Sequence, residues 1–136
     1  MVTKGQVYQI ALDALNNVWT RLSSSADDWK ANPKLRLSIA TTPVQTAING
    51  AVKDISQGAG ALGREDKQAK NLLEDIAARL EAFKAELSRT GEIRNATELV
   101  EVWKRAVQSI IDDVLSVAPE VESTATYVKL MRRLAA

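Results

Sequence analysis

The 136-residue chain contains neither cysteine nor histidine. Without cysteine there are no disulfides and no thiol chemistry. That absence leaves the compartment open, because a secreted helical bundle of this size can fold without cross-links. Without histidine the commonest general base and the commonest metal ligand are both missing. Ser/His and Cys/His catalysis and His-based zinc sites fall away together, as does the Glu-x-x-His signature of di-iron bundles. No EF-hand pattern is present, and no catalytic, metal or cofactor site is expected. An excess of one charge is also lacking. The 18 basic and 17 acidic residues are interleaved and leave a net charge of +1, so there is no electrostatic case for nucleic acid. No apolar run approaches the roughly 18 residues of a transmembrane segment. The start, MVTKGQVYQ, lacks the unbroken apolar stretch of a signal peptide. A cytoplasmic protein and a mature secreted one with an added start methionine both fit.

Apolar residues make up 46% of the chain and charged residues 26%, the balance of an ordinary globular protein. The length suits one domain, residues 1–136, with a core of its own. The stretch that organises the pattern is Leu99–Val117, LVEVWKRAVQSIIDDVLSV. Leu99, Val102, Trp103, Ala106, Val107, Ile110, Ile111, Val114 and Val117 recur at the period of one helical face. Three adjacent apolar pairs widen that face, which predicts contact with more than one other helix and a central place in a bundle.

Four further helices are expected. The first runs from about Thr3 to Lys30, with Val7, Ile10, Ala11, Ala14, Leu15, Val18, Trp19 and Leu22 as its apolar face. Ser23–Ser25 can loosen it, and Asn32-Pro33 ends it beyond Trp29. Lys34–Thr41 alternates apolar and polar residues, which reads as an extended connector plugging the bundle or, alternatively, a short helical turn. Thr42-Pro43 then pairs a capping hydroxyl with proline at the first helical position. Val44, Ala47, Ile48, Ala51, Val52 and Ile55 form the stripe of this second helix, which Gly58–Gly63 ends. A third helix spans about Arg64 to Arg89, with Ala69, Leu72, Leu73, Ile76, Leu80, Phe83 and Leu87 inward and Glu74, Asp75, Arg79, Glu81, Lys84 and Glu86 in solvent. Glu65 and Asp66 suit its start, and Thr90-Gly91 its stop. Asn95 and Glu98 form a cap for the central helix. Pro119 opens the last helix, whose face carries Val121, Ala125, Val128, Met131 and Leu134, with Tyr127 and Leu130 beside it. The fold class is therefore all-α, a single-domain antiparallel bundle of about five helices.

Chemistry is sparse along these helices. The acidic pairs Asp27-Asp28, Glu65-Asp66, Glu74-Asp75 and Asp112-Asp113 point about 100° apart on a helix, so none is a ready two-carboxylate site. Asp112-Asp113 lies at the edge of the central stripe, near Gln108 and Ser109, which either face water or orient a headgroup. The Gly58–Gly63 segment lacks the Gly-Lys-Ser/Thr ending of a phosphate loop and follows a helix, so it reads as a turn. Asn95-Ala96-Thr97 is a glycosylation sequon that matters only in a eukaryotic secreted protein. Trp19 and Trp103 read as core and Trp29 as partly exposed, although aromatic residues also wall ligand sites.

The segment from about Ala26 to Pro119 resembles the fungal hydrophobic surface binding protein A family, which includes the cell-wall galactomannoproteins. Trp29, Leu35–Ile39, Val44–Asn49, Ala51–Ile55, Ala61-Leu62 and Ile110–Leu115 ending at Ala118-Pro119 carry the resemblance. It departs in its richness in Lys, Arg and Glu and around Phe83–Glu98. The resemblance implies a five-helix bundle, secreted or wall-bound, that holds a fatty acid in its interior. Two functions follow. One is non-catalytic binding of a fatty acid or similar lipid between the second, third and central helices, lined by Ile48, Val52, Leu72, Ile76, Leu80, Phe83, Trp103, Ala106 and Ile110. The small residues Ala47, Ala51, Ala77 and Ala106 would leave the room, and each buried methylene would contribute about 0.8 kcal/mol. The other is a protein–protein interaction module, such as an adaptor, effector or assembly subunit, whose apolar groove accepts a partner helix.

Overall fold

Six α-helices and one 3₁₀ turn make up the described part of the chain: α1 (Lys4–Ala31), α2 (Leu37–Ala40), α3 (Thr42–Leu62), α4 (Lys67–Glu86), α5 (Ala96–Val117), the 3₁₀ turn Pro119–Ser123 and α6 (Ala125–Ala135). The structure is a computed structural model that describes residues 4–62, 64, 66–89 and 93–136, with backbone only at 4–7. The readings placed on Thr3, Gly63, Glu65, Thr90 and Gly91, and on the side chain of Val7, lie outside it. Helices α1, α3, α4 and α5 form an antiparallel ring in which each packs on the next and α5 returns to α1. Helix α6 lies along α1, so that Thr126 meets Asp13 and Arg133 meets Thr20, one to two turns further along both helices. The all-α bundle expected from the periodicity is what forms.

The core is one contiguous cluster that takes residues from every element named, with Ala40 as the contribution of α2. Its hub is α1 rather than α5, which corrects the reading of Leu99–Val117 as central. Helix α1 packs against every other helix and the 3₁₀ turn, whereas α5 packs chiefly on α1, α4 and that turn. The reason is the width of the buried band. Tyr8, Leu12, Leu15, Trp19 and Leu22 are buried, and so are Ala11, Asn16, Val18 and Ala26 beside them. On α5 the Val102/Ala106 edge stays half-buried.

Local chemistry fixes most helix ends. Asp66 caps α4 by accepting from the Ala69 N–H at 2.9 Å. Asn95 caps α5 by accepting from the Glu98 N–H at 2.9 Å, and the Glu98 carboxylate accepts from the Arg94 N–H at 2.8 Å. Each satisfies donors that a helix start leaves unpaired. Thr42, expected to cap α3, does not. Its hydroxyl donates to the Ser38 carbonyl at 3.2 Å, because the preceding residues have wound into α2 and placed that carbonyl one turn back. The 34–41 connector is thus the helical alternative. Leu35 and Leu37 pack on the core while Ile39 is 58% exposed.

Other corrections have equally local causes. Trp29 is buried, and its Nε1 donates to the Leu35 carbonyl at 3.1 Å. The chain turns back at Asn32-Pro33 and covers the ring. Helix α3 does not stop at Gly58 but runs on to Leu62. Gly58, Ala59 and Leu62 continue the buried stripe of Val44, Ile48, Ala51 and Ile55, so packing outweighs the roughly 1 kcal/mol that glycine costs a helix. Pro119 opens the 3₁₀ turn, and α6 starts afresh after Thr124, whose hydroxyl accepts from the Tyr127 N–H at 3.2 Å. The tighter turn shifts the helical phase. Leu130 therefore becomes the buried residue of α6, with Tyr127, Met131 and Leu134 around it, while Val128 is exposed. Ile10, placed on the inner face of α1, is also exposed.

Candidate functional site

Helices α4 and α5 cross the bundle side by side with large aromatic rings between them. Phe83 of α4 meets Trp103 of α5 with ring centroids 5.2 Å apart and planes tilted by 52°. Trp103 in turn meets Trp19 of α1 edge-on at 6.1 Å. Trp103 is fully buried, and its Nε1 has no hydrogen-bond partner among the described residues. Outside this wedge both helices carry small side chains. A groove of about 260 Å³ opens there, lined by Arg79, Ala82, Phe83, Glu86, Val102, Ala106 and Ser109.

Two matched stripes produce it. On α4, Asp75, Arg79, Ala82 and Glu86 follow one another at intervals of four, three and four. On α5, Val102, Ala106, Ser109 and Asp113 do the same, and the antiparallel packing sets them face to face. Arg79 closes one end. Its Nη1 donates to the Ser109 hydroxyl at 3.2 Å, and its Nη2 contacts Asp75 at 2.8 Å and also Asp113. Glu86 stands at the other end and has no ion pair among the described residues. The groove thus has an apolar floor and a rim that carries three carboxylates and one guanidinium.

Of the nine residues predicted to line an interior site, Ile48, Ile76, Leu80, Phe83, Trp103 and Ile110 are all buried in the single core cluster. Val52 and Leu72 are half-buried and pack against that cluster. Helix α3, which carries Ile48 and Val52, packs on α1 and α4, and the open groove lies on the far side of α4, against α5. Only Phe83 and Ala106 of the nine reach it. Sequence reasoning missed Arg79, Ala82, Glu86 and Val102 as lining residues, because Arg79 and Glu86 read as a solvated face. The missed signal was the four-three-four spacing shared by both stripes, which places small Ala82 on α4 and small Ala106 and Ser109 on α5 along one seam. Ser109, considered as a headgroup contact, does line the groove. Asp112 and Asp113 diverge as expected: Asp112 accepts from Gln108 Nε2 at 2.9 Å, whereas Asp113 faces Arg79.

Elsewhere the polar interior is quiet. Tyr8 is buried, and its hydroxyl has no hydrogen-bond partner among the described residues. Burial, with Asp66 and Glu120 adding, pushes this phenol up to about 12, so it stays protonated and is no base at neutral pH. No cluster of three or more His, Cys, Asp or Glu that could hold a metal ion occurs among the described residues. No helix among them is long and apolar enough to cross a membrane. Set against family models, curated proteins and solved structures, the chain matches none.

Proposed function

We propose that the protein is a non-catalytic binding module that takes up an apolar group between α4 and α5. The observation that carries this reading is the groove itself: an apolar floor of Ala82, Phe83, Val102 and Ala106, held open by the Phe83/Trp103 wedge. Concave apolar surface with a few polar groups at its ends is the usual form of a binding site. The seat differs from the interior lipid site expected from the sequence in that only Phe83 and Ala106 of its nine residues line it. An aliphatic chain remains a candidate occupant, and the fungal resemblance favours it, together with a secreted or wall-bound location. The absence of histidine and cysteine supports binding rather than catalysis.

Titration with 1-octanol, followed by amide resonances in ¹⁵N–¹H spectra, tests the reading. About four buried methylenes contribute about 3 kcal/mol, which corresponds to binding in the order of millimolar. Saturable shifts are expected at Ala82, Phe83, Val102, Ala106 and Ser109, and Ala106→Trp should abolish them. Saturable shifts centred on Ile48 and Ile76 instead would return the site to the interior. No saturable shift at either place would overturn the proposal.

A further inference from the structure

We propose that the occupant of the α4/α5 groove is an amphipathic helix of a protein partner, presenting apolar anchors between basic side chains. This inference rests on the reading that the groove takes an apolar group, and it names the bearer of that group.

The first observation is charge. Asp75 and Asp113 crowd the Arg79 end, and Glu86, without an ion pair among the described residues, marks the other. Arg79 neutralises one of these three carboxylates, which leaves the rim acidic. An anionic lipid headgroup would be repelled at either end, whereas Lys or Arg flanking an apolar residue would be attracted at both.

The second observation is a precedent inside the molecule. On its other side α5 meets α1 across Trp103 and Trp19, and there α6 lies alongside. Helix α6 is itself amphipathic and basic, with Leu130 buried among Lys129, Arg132 and Arg133. Arg133 sits 5.9 Å over the Trp19 ring and donates to the Asn16 carbonyl at 3.0 Å, and Lys104 of α5 donates to the Ala136 carbonyl at 2.6 Å. Beside the α1/α5 seam there is thus a short basic helix, packed on α1 and reached from α5 by Lys104. Among the described residues, the α4 side has none.

The third observation is length. Asp75 and Glu86 are eleven residues apart, which spans about 16 Å, or three helical turns. A partner helix with basic residues at i and i+11 places both on one face, and i+4 and i+7 fall between them as anchors.

The test uses two synthetic peptides of about 18 residues, long enough to hold a helix. Both carry Leu at i+4 and i+7 on an Ala/Gln background. One has Lys at i and i+11, the other Glu. Binding to the whole protein is read by the same amide resonances, alongside the octanol titration and a decanoate titration. The Lys peptide should bind at least about tenfold more tightly than the Glu peptide, with the preference shrinking as salt screens the rim. Glu86→Lys should narrow the preference, and a urea unfolding midpoint near that of the wild type shows that the variant is folded. Equal binding of the two peptides, or decanoate binding more tightly than the Lys peptide, overturns the partner-helix inference and leaves the groove reading standing. Failure of octanol and both peptides alike overturns both.

Discussion

On one side of α5, Trp103 meets Trp19 edge-on and α6 lies alongside; on the other, Trp103 meets Phe83 at a tilt and no described helix covers the groove. Both seams are wide for the same reason. Indole and phenyl rings stand between the helices, so α5 keeps its distance from α1 and α4. The tightly apposed pair α1/α3 is different, because Ala11, Ala14, Ala51 and Ala59 are buried on these two helices. The comparison shows that alanine has no fixed effect on helix spacing. Behind it lies either another helix, and the two close up, or an aromatic wedge, and the alanine becomes the floor of a groove.

Trp103→Ala should break both seams at once. It removes the largest fully buried side chain, and a cost of about 3–5 kcal/mol is expected in urea unfolding. A smaller loss would mean that the two seams do not depend on a shared wedge. Next in size is a pair of matched substitutions. Ala11→Leu, in the solid core, should overpack and cost about 1–3 kcal/mol. Ala106→Leu, at the open groove, should cost less than about 0.5 kcal/mol, as surface changes do. Equal costs in calorimetry would show that the groove is not available space.

The arginines offer a finer contrast. Arg133→Ala removes two hydrogen bonds and a cation–π contact from the covered seam, for an expected loss of about 1–2 kcal/mol. Arg79→Ala removes partly exposed ion pairs with Asp75 and Asp113 from the open seam and should cost under about 1 kcal/mol. The reverse order would argue that Arg79, not the aromatic wedge, holds α4 and α5 in place. Tyr8→Phe should have the smallest effect at neutral pH, below about 1 kcal/mol, because the hydroxyl it deletes has no partner among the described residues. The unfolded phenol ionises near 10, but the folded one holds its proton to about 12. Ionisation therefore favours the unfolded state over that interval. The wild type should lose stability from pH 10 to 12, and Tyr8→Phe should be spared that part of the loss. Identical pH profiles in alkaline denaturation would contradict the burial that raises Tyr8.

The helices were legible because their signals are local. The Asn95/Glu98 cap, the Asp66 start of the third helix and the 3.6-residue stripes are read within a few residues of each other. The core assignment of Trp19 and Trp103 followed from the same stripes. What failed depended on distant neighbours. Trp29 sits at a helix end that looks exposed until Leu35 turns back over it. Arg79 belongs to a solvated face until Asp113, 34 residues later in the chain, is set opposite it.

Residue types and their periodicity suffice for an all-α bundle without histidine or thiol chemistry, because they do not depend on what folds against them. Which helix is the hub, which alanines close a seam and which open one, and where the groove lies are fixed only when the helices pack. Each of those turns on which faces meet, and a side chain carries no record of its partner until the chain has folded.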